Sequence, residues 1–530
     1  MRPHRSLSFA APHPHRPRLA RPIAVALALA ALSLALAPGS ARGDSARRPV
    51  SDAPAFAQET DAWVTDALER LEIVPALAIA VVVDDEVVLA RAWGLADVEA
   101  GTPADGRTQF YIASATKPFT GLLAAMLDAE GKVDLDSPLA DHLNGAAMDP
   151  ALKPAQVKLR DLLTHTSGIE NSAIGFRVAF SGQHDPDLLW GLLDDSVPTE
   201  DAPLGTFKYT NVGYNIYTMI TDRETGKVWQ DQLRDRIFTP LGMARTTAYV
   251  SLGKEKGWPS AAPYFGLGRD GLERVPLQKT DETMQSAGGL MTTARDLARW
   301  MRFQLADGKL DGKQVVDAEL VRSTHRPLAT TEEPSGSPFG QEAYGLGWSH
   351  GTWRDHDVLS HGGGFSGFRS LISFLPGENV GVSVMVNEGS LGAMVLEEAV
   401  TRAYDWWLGT AEATPREAVD EMVQRRDMFA ERMKGEFEKR DAREWMLARP
   451  RTAYAGRYHN DLYGTVVIAE RDGDLDISQG NLHCVATAYP KEETARVELV
   501  PGSGRVVVFE PAEGDVEKIV LDGDEYVRVN

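Results

Sequence analysis

Cysteine is almost missing from this chain: Cys484 is the only one in 530 residues. No intrachain disulfide can form, so stability has to come from a large buried core. Positive charge is also short, with 55 Lys and Arg against 76 Asp and Glu and a formal charge of −21. So acidic a chain is a poor partner for nucleic acid or an anionic membrane surface. No His-Glu-x-x-His occurs, and no histidine spacing reads as a metal site, so neither a metal nor a cofactor is expected. The Gly-x-Ser-x-Gly elbow of α/β-hydrolases is absent too. The apolar run at residues 23–37 spans fifteen positions broken only by Ser33, which is short for a membrane span.

That run has a context of its own. Residues 1–43 carry Arg2, Arg5, Arg16, Arg18, Arg21 and Arg42 and no acid, and small residues follow the apolar stretch. A basic start, a short apolar core and small residues are the pattern of a secretory signal peptide, with cleavage after Ala41 or Gly43. Its removal takes the formal charge from −21 to −27, because six arginines leave and no acid does. The chain is therefore expected to be exported, periplasmic or extracellular, with no stable membrane anchor.

The remainder divides by pattern. Phe56, Trp63, Val64, Leu68 and Leu71 recur at helical spacing over residues 52–74, which Pro75 ends. Residues 76–83 and 87–93 read as strands joined at Asp84-Asp85-Glu86. Residues 185–300 are mostly helical patches, and β-prone runs return at 359–361, 369–375 and 381–387 before a helix at 391–408. Strands at both ends with helices between predict one α/β (α+β) unit over 52–410, its antiparallel sheet built from both chain ends beside a helical subdomain. Thr414-Pro415-Arg416-Glu417 carries an N-cap, a proline at the first helical position and a capping-box glutamate, which predicts a linking helix over about 414–448 within a linker at 411–450. Residues 451–530 alternate as strands, with a hairpin turn at Asp472-Gly473, and predict a small antiparallel β domain.

Three stretches carry chemistry. Ser114-Ala-Thr-Lys117 opens a helix whose apolar stripe is Phe119, Leu122, Leu123, Met126 and Leu127. Residues three apart share a helix face, so a hydroxyl and an amine can meet there as nucleophile and base. A second copy, Ser251-Leu-Gly-Lys254, contains Gly253, is followed by Gly257 and Pro259, and reads as loop. Tyr209 and Asn211, two apart in an extended loop, project to one side and offer a phenol for proton transfer and an amide for a substrate amide. His361-Gly362-Gly363-Gly364 lies at a predicted strand edge, where glycines admit substrate backbone and a free N–H can stabilise an oxyanion. Each stretch also has an ordinary structural reading: an N-cap serine, a half-buried loop tyrosine, a glycine-rich bulge.

Taken in order, Ser114-x-x-Lys117, Tyr209-x-Asn211 and His361-Gly-Gly resemble the active-site sequence of the serine β-lactamase and penicillin-binding-protein superfamily. The pattern is nearest to class C β-lactamases, D-Ala-D-Ala carboxypeptidases and related esterases. Residues 74–80, 162–168, 240–243 and 287–296 resemble the same family, and the similarity covers roughly 52–410. The resemblance implies the β-lactamase/transpeptidase-like fold and ping-pong acyl transfer through an acyl-Ser114 intermediate. It implies that Lys117 and Tyr209 handle protons, that Asn211 holds the acyl-side amide, and that Gly362, Gly363 and Gly364 line the substrate. The N–H groups of Ser114 and Gly364 would form the oxyanion hole. His361 stands where many members have lysine. Histidine is largely neutral at pH 7, which favours esters, small amides and D-amino-acid peptides over anionic β-lactams. Arg369 could replace the charge that a lysine would supply, but it is expected at the surface. The partner implied is a small-molecule or peptide substrate, and oligomeric state is left open. The rival readings are a non-catalytic binder of cell-wall fragments or peptides, a true β-lactamase, and a protein whose function lies in residues 451–530.

Overall fold

The computed structural model describes residues 47–331, 337–411, 413–500, 502–511 and 515–529, so the basic leader at 1–43 lies outside the described residues. Ala76–Val83 is a run of eight small, branched and aliphatic residues, all of them buried. Such a run has to lie inside a sheet covered on both faces. It pairs antiparallel with Glu86–Asp97 on one side and with Val380–Val386 on the other. Asp84 and Asp85 both take positive φ in the tight turn that joins the first two strands.

Strands far apart in sequence, at 76–97 and 380–386, therefore meet at the centre of one nine-stranded antiparallel sheet. From one edge its strands are Ala329–Thr330, Ala343–Tyr344, Ser349–Trp353, His356–Phe365, Phe368–Leu375, Val380–Val386, Ala76–Val83, Glu86–Asp97 and Thr102–Pro103. Alternation along the first strand divides the core in two. Leu77, Ile79, Val81 and Val83 pack with Phe56, Trp63, Val395 and Trp407, from the helices Ala53–Leu71 and Gly392–Leu408. Ala76, Ala78, Ala80 and Val82 face the helical region built around Lys117–Ala129.

Thr414 and Glu417 form the reciprocal cap that the sequence predicts, and the helix Pro415–Asp441 follows. It ends short of 448 because the chain turns to pair with the second sheet. Glu493 N–H donates to Met446 O at 3.0 Å, and Ala448 N–H to the Glu493 carboxylate at 2.7 Å. Only Ala418, Val419 and Met422 of this helix are buried. Its first half is held on the leading helix by Arg70–Asp420 at 2.6 Å and by Arg426 donating to Leu71 O at 2.9 Å.

The second sheet also has nine antiparallel strands, running from Leu482–Val485 at one edge to Thr487–Ala488 at the other. These edges are neighbours in sequence, so the sheet curls into a nearly closed barrel. Asp472 and Gly473 make the predicted hairpin turn with positive φ at both positions.

Arg177 fastens the barrel to the helical region. It is 4% exposed. Its Nε donates to Leu462 O at 2.5 Å, its Nη2 to Asp461 O at 2.8 Å, and its Nη1 to Gln183 O. Beside it Tyr463 meets Phe176 edge-on at 5.8 Å, and Phe180 stacks on Phe365 at 5.9 Å, at the end of the strand that carries His361. Arg177→Ala leaves these carbonyl oxygens without their charged donor. Such losses cost about 1–3 kcal/mol for each buried group left unpaired, so the substitution is expected to lower unfolding stability by about 3 kcal/mol or more. Chemical denaturation measures this; a change under about 1 kcal/mol would mean that water replaces the guanidinium.

Candidate active site

From Thr108 to Ala125 every residue is buried except Ser114. Phe110–Tyr111 pairs with Met291–Thr292, and the backbone then turns sharply at Ala113, with φ +45°. An alanine in that region is strained, by about 1–3 kcal/mol, and surrounding structure has to hold it. A 3₁₀ turn, Ala113–Thr116, leads into the helix Lys117–Ala129. Ser114 thus projects from an elbow whose neighbours are all packed away.

Lys117 begins the helix with no solvent exposure. Its Nζ donates to Asn211 Oδ1 and to Ala287 O, both at 2.7 Å, and lies 4.9 Å and 5.2 Å from the ring centres of Tyr209 and Tyr214. No carboxylate pairs with it. Burial therefore holds the ammonium well below its ordinary range, toward the neutral amine. Asn211 ends the loop and precedes the helix Val212–Thr225. With Oδ1 taken by Lys117, its Nδ2 is the end of the amide left for a ligand.

Tyr209 is 39% exposed as a residue. Its hydroxyl is the sunken end, within hydrogen-bonding reach of Ser114, and burial pushes that phenol up. His165 packs against it with ring centres 4.4 Å apart. The Thr210 N–H donates to His165 Nδ1 at 3.2 Å, so the proton sits on Nε2, which is buried without a partner. Burial, Lys117 and His361 hold this imidazole neutral.

His361, Gly362, Gly363 and Gly364 lie within the strand His356–Phe365 and pair in full with Phe368–Leu375. The neighbouring strand Ser349–Trp353 reaches only to Ser360, which leaves the other edge open from His361 onward. The glycines are thus neither bulge nor turn. Ser366-Gly367 closes a two-residue hairpin, so Phe365 and Phe368 form a hydrogen-bonded pair. Alternation then turns the N–H groups of Gly362 and Gly364 toward the open edge. His361 Nδ1 donates to Gly362 O at 2.7 Å, and its Nε2 accepts from Tyr344 OH at 3.0 Å. Burial, with Lys117 nearby, pushes this imidazole down to about 3, so it carries no charge at neutral pH.

Gly363 is where the elbow and the strand meet. A Cβ there would overlap the Ile112 carbonyl oxygen. That oxygen instead accepts from Ser370 Oγ, on the neighbouring strand, at 2.7 Å. One cavity of about 310 Å³ opens on Ser114, Tyr209, His361 and the three glycines. Arg369 lines it rather than standing at the surface, because its Nε and Nη2 turn inward to Gly389 O at 3.3 and 3.0 Å. Among the described residues, no group of three His, Cys, Asp or Glu is placed to hold a metal ion, and no helix is long and apolar enough to cross a membrane.

Comparison with known proteins agrees with this geometry. The family model described as Beta-lactamase matches residues 61–404, well over half of the chain. The chain belongs to the Beta-lactamase family. Penicillin-binding protein 4 of Amycolatopsis lactamdurans is 30% identical over 330 residues, 61% of this chain and 84% of that protein. Protein flp of Staphylococcus aureus strain MW2 is 27% identical over 337 residues, 63% of each chain. The octameric penicillin-binding protein homologue from Pyrococcus abyssi superposes with a TM-score of 0.55 at 21% identity, over 89% of this chain and all of that one. D-amino acid amidase from Ochrobactrum anthropi SV3 superposes at 0.52 and 22% identity, over 69% of this chain and 99% of that one. At these identities the superpositions speak for the fold. Family membership makes the chain a serine hydrolase in the broad sense.

All the residues expected from sequence converge on the one cavity or, for Lys117 and Asn211, directly behind it. Ser251-x-x-Lys254 does not. It lies on a short helix, Val250–Glu255, not in a loop, because Asp281 accepts from Ser251 N–H and Oγ at 3.0 and 2.5 Å and fixes its start. Three members of the site escaped sequence reasoning. His165 was visible only inside a family-like stretch, and Tyr214 and Tyr344 gave no signal. In this Beta-lactamase-family chain Gly363→Ala should push the elbow off the sheet edge. Misplacement near 1 Å costs about 10²-fold, so labelling of Ser114 by a fluorophosphonate is expected to slow by about that factor. Gly377→Ala, whose Cβ meets nothing within 4 Å, is the control. Equal rates in the two variants would show that Gly363 does not position the serine.

Proposed function

We propose that this chain is an exported serine hydrolase that works through an acyl-Ser114 intermediate on amide or ester substrates, a D-amino-acid peptide or amide or a small ester. The observation that carries the reading is the uncharged environment of Lys117, one helical turn from Ser114, the one residue of 108–125 that is not fully buried. A neutral amine can accept the proton that Ser114 loses on attack. Tyr209 keeps its proton at neutral pH and relays it between Ser114 and the leaving group, so the pair titrates as a unit. The edge N–H of Gly364, with that of Ser114, would hold the oxyanion. Asn211 Nδ2 would donate to the acyl-side carbonyl.

The neutral His361 supplies no fixed cation for a substrate carboxylate, and Arg369, the cation that lines the cavity, is turned to Gly389 O and offset by the Glu388 carboxylate, which favours esters and amides over anionic β-lactams. One structural neighbour is a D-amino acid amidase, which is consistent with this choice of substrate class and lends no more than that. The sign of the pH dependence follows from Lys117. Its lowered pKa makes the base available above that value, and activity is lost as pH falls through it.

Ser114→Ala is expected to abolish fluorophosphonate labelling, and Lys117→Ala to slow it by about 10²–10⁴-fold. Ser251→Ala and Lys254→Ala should label as the parent does. Labelling that survives Ser114→Ala would overturn the assignment. Turnover of p-nitrophenyl esters, D-amino-acid amides and nitrocefin ranks the substrate classes, and nitrocefin leading would refute the argument from charge. Export is tested by mass spectrometry of the protein secreted from a bacterial host. The N-terminus should lie near Arg42 or Asp44, and an intact Met1 in the exported fraction would refute the signal.

A further inference from the structure

The cavity at Ser114 does not stop at the sheet edge. Gly362 has no Cβ, and one built there would meet nothing closer than 3.8 Å. The cavity passes over this residue to the far face of the sheet, where Leu371, Ala393 and Leu396 line it together with Glu397. Glu397 follows Leu396 on the closing helix, Gly392–Leu408, and is half-buried.

Glu397 has no hydrogen bond and no ion pair among the described residues. Its neighbour Glu398 takes Arg402 at 3.5 Å, and Arg425, which acts on Glu397 from a distance, is paired with Glu421 at 2.5 Å. A carboxylate drawn from water without a partner is unfavourable, and burial raises its pKa accordingly. The other ionisable groups at the cavity do not answer it. Arg369 spends Nε and Nη2 on Gly389 O, and the buried Glu388 carboxylate offsets its charge. His361 is neutral, and Lys117 is held toward its neutral form. What remains is one carboxylate without a hydrogen-bonding or ionic partner among the described residues, joined to the nucleophile by a cavity that Leu371, Ala393 and Leu396 line on the far face.

We propose that Glu397 anchors a substrate arm that ends in a primary ammonium, with the alkyl stem of the arm crossing Gly362 and lying against Leu371 and Leu396. This rests on the hydrolase reading above and adds a substrate class to it: amides or esters carrying an aminoalkyl arm. The ammonium supplies the donors that the carboxylate lacks, in a charge-assisted hydrogen bond. The stem removes apolar wall from water.

The test uses the full chain and three probes of one length, hexylamine, hexanol and hexanoate. Each is assayed for protection of Ser114 against a fluorophosphonate and is titrated by calorimetry. Hexylamine is expected to protect at a concentration lower by about tenfold or more than the other two. Glu397→Gln should remove that advantage, and Glu397→Lys should transfer it to hexanoate. Equal protection by all three probes in the parent chain would overturn the proposal. So would an advantage for hexylamine that survives Glu397→Gln in a variant with unchanged melting. Should a variant fail to fold, the comparison of probes on the parent chain decides alone. Calorimetry separates the two readings: a serine that never labels defeats the hydrolase assignment, while amine binding lost on Glu397→Gln still upholds the subsite.

Discussion

Taking the amine of Lys117 out of water is the constraint on which the rest of the site depends. A lysine in contact with solvent stays protonated and cannot act as a base. Here the amine starts a helix buried on almost every side, and that burial is what lowers its pKa. Packing this close is made possible by glycine at the contacts. Gly121 of the helix lies against the Leu346 backbone, and Gly347 lies against the carbonyl of Lys117 itself. The Ala287 carbonyl and Asn211 then accept its hydrogen bonds, so the amine is placed as well as desolvated.

The same economy of space governs the serine. Its elbow is strained at Ala113 and is held between Leu290, which accepts from Ile112 N–H at 3.1 Å, and Ser370, which donates to Ile112 O. Gly363 permits that approach. The strand carrying it ends at Phe365, where Phe180, Phe176 and Tyr463 connect it through aromatic contacts to the barrel. Among the described residues, the barrel supplies none to the cavity. Its place in the molecule is as packing behind the segment that flanks the sheet edge.

Charge in the site is defined by what is neutral. His361 and His165 are both buried, both uncharged, and each held in one tautomer by a hydrogen bond with the backbone, each packed with a tyrosine. Positive charge is confined to Arg369, itself balanced by Glu388.

Local chemistry was legible in the sequence. The turn at Asp84-Asp85, the capping box at Thr414 and Glu417, the hairpin at Asp472-Gly473 and the buried strand 76–83 need only neighbours within a few residues, and each formed where its pattern predicts. Ser114 and Lys117 were legible for the same reason, since three residues of helix bring them together. What sequence did not show is set by contacts between distant segments. The linking helix stops at Asp441 because Glu493 claims the backbone at Met446 and Ala448. Arg369 turns inward because Gly389, twenty residues on, offers it a carbonyl. His165, Tyr214 and Tyr344 join the site from three separate elements, and neither periodicity nor spacing can place an aromatic ring against another across the fold. Sequence by itself determined which serine and lysine share one helical turn and the elements that carry them. Tertiary structure alone decided how far that lysine is desolvated and the shape of the cavity, because desolvation is a property of everything packed around a group.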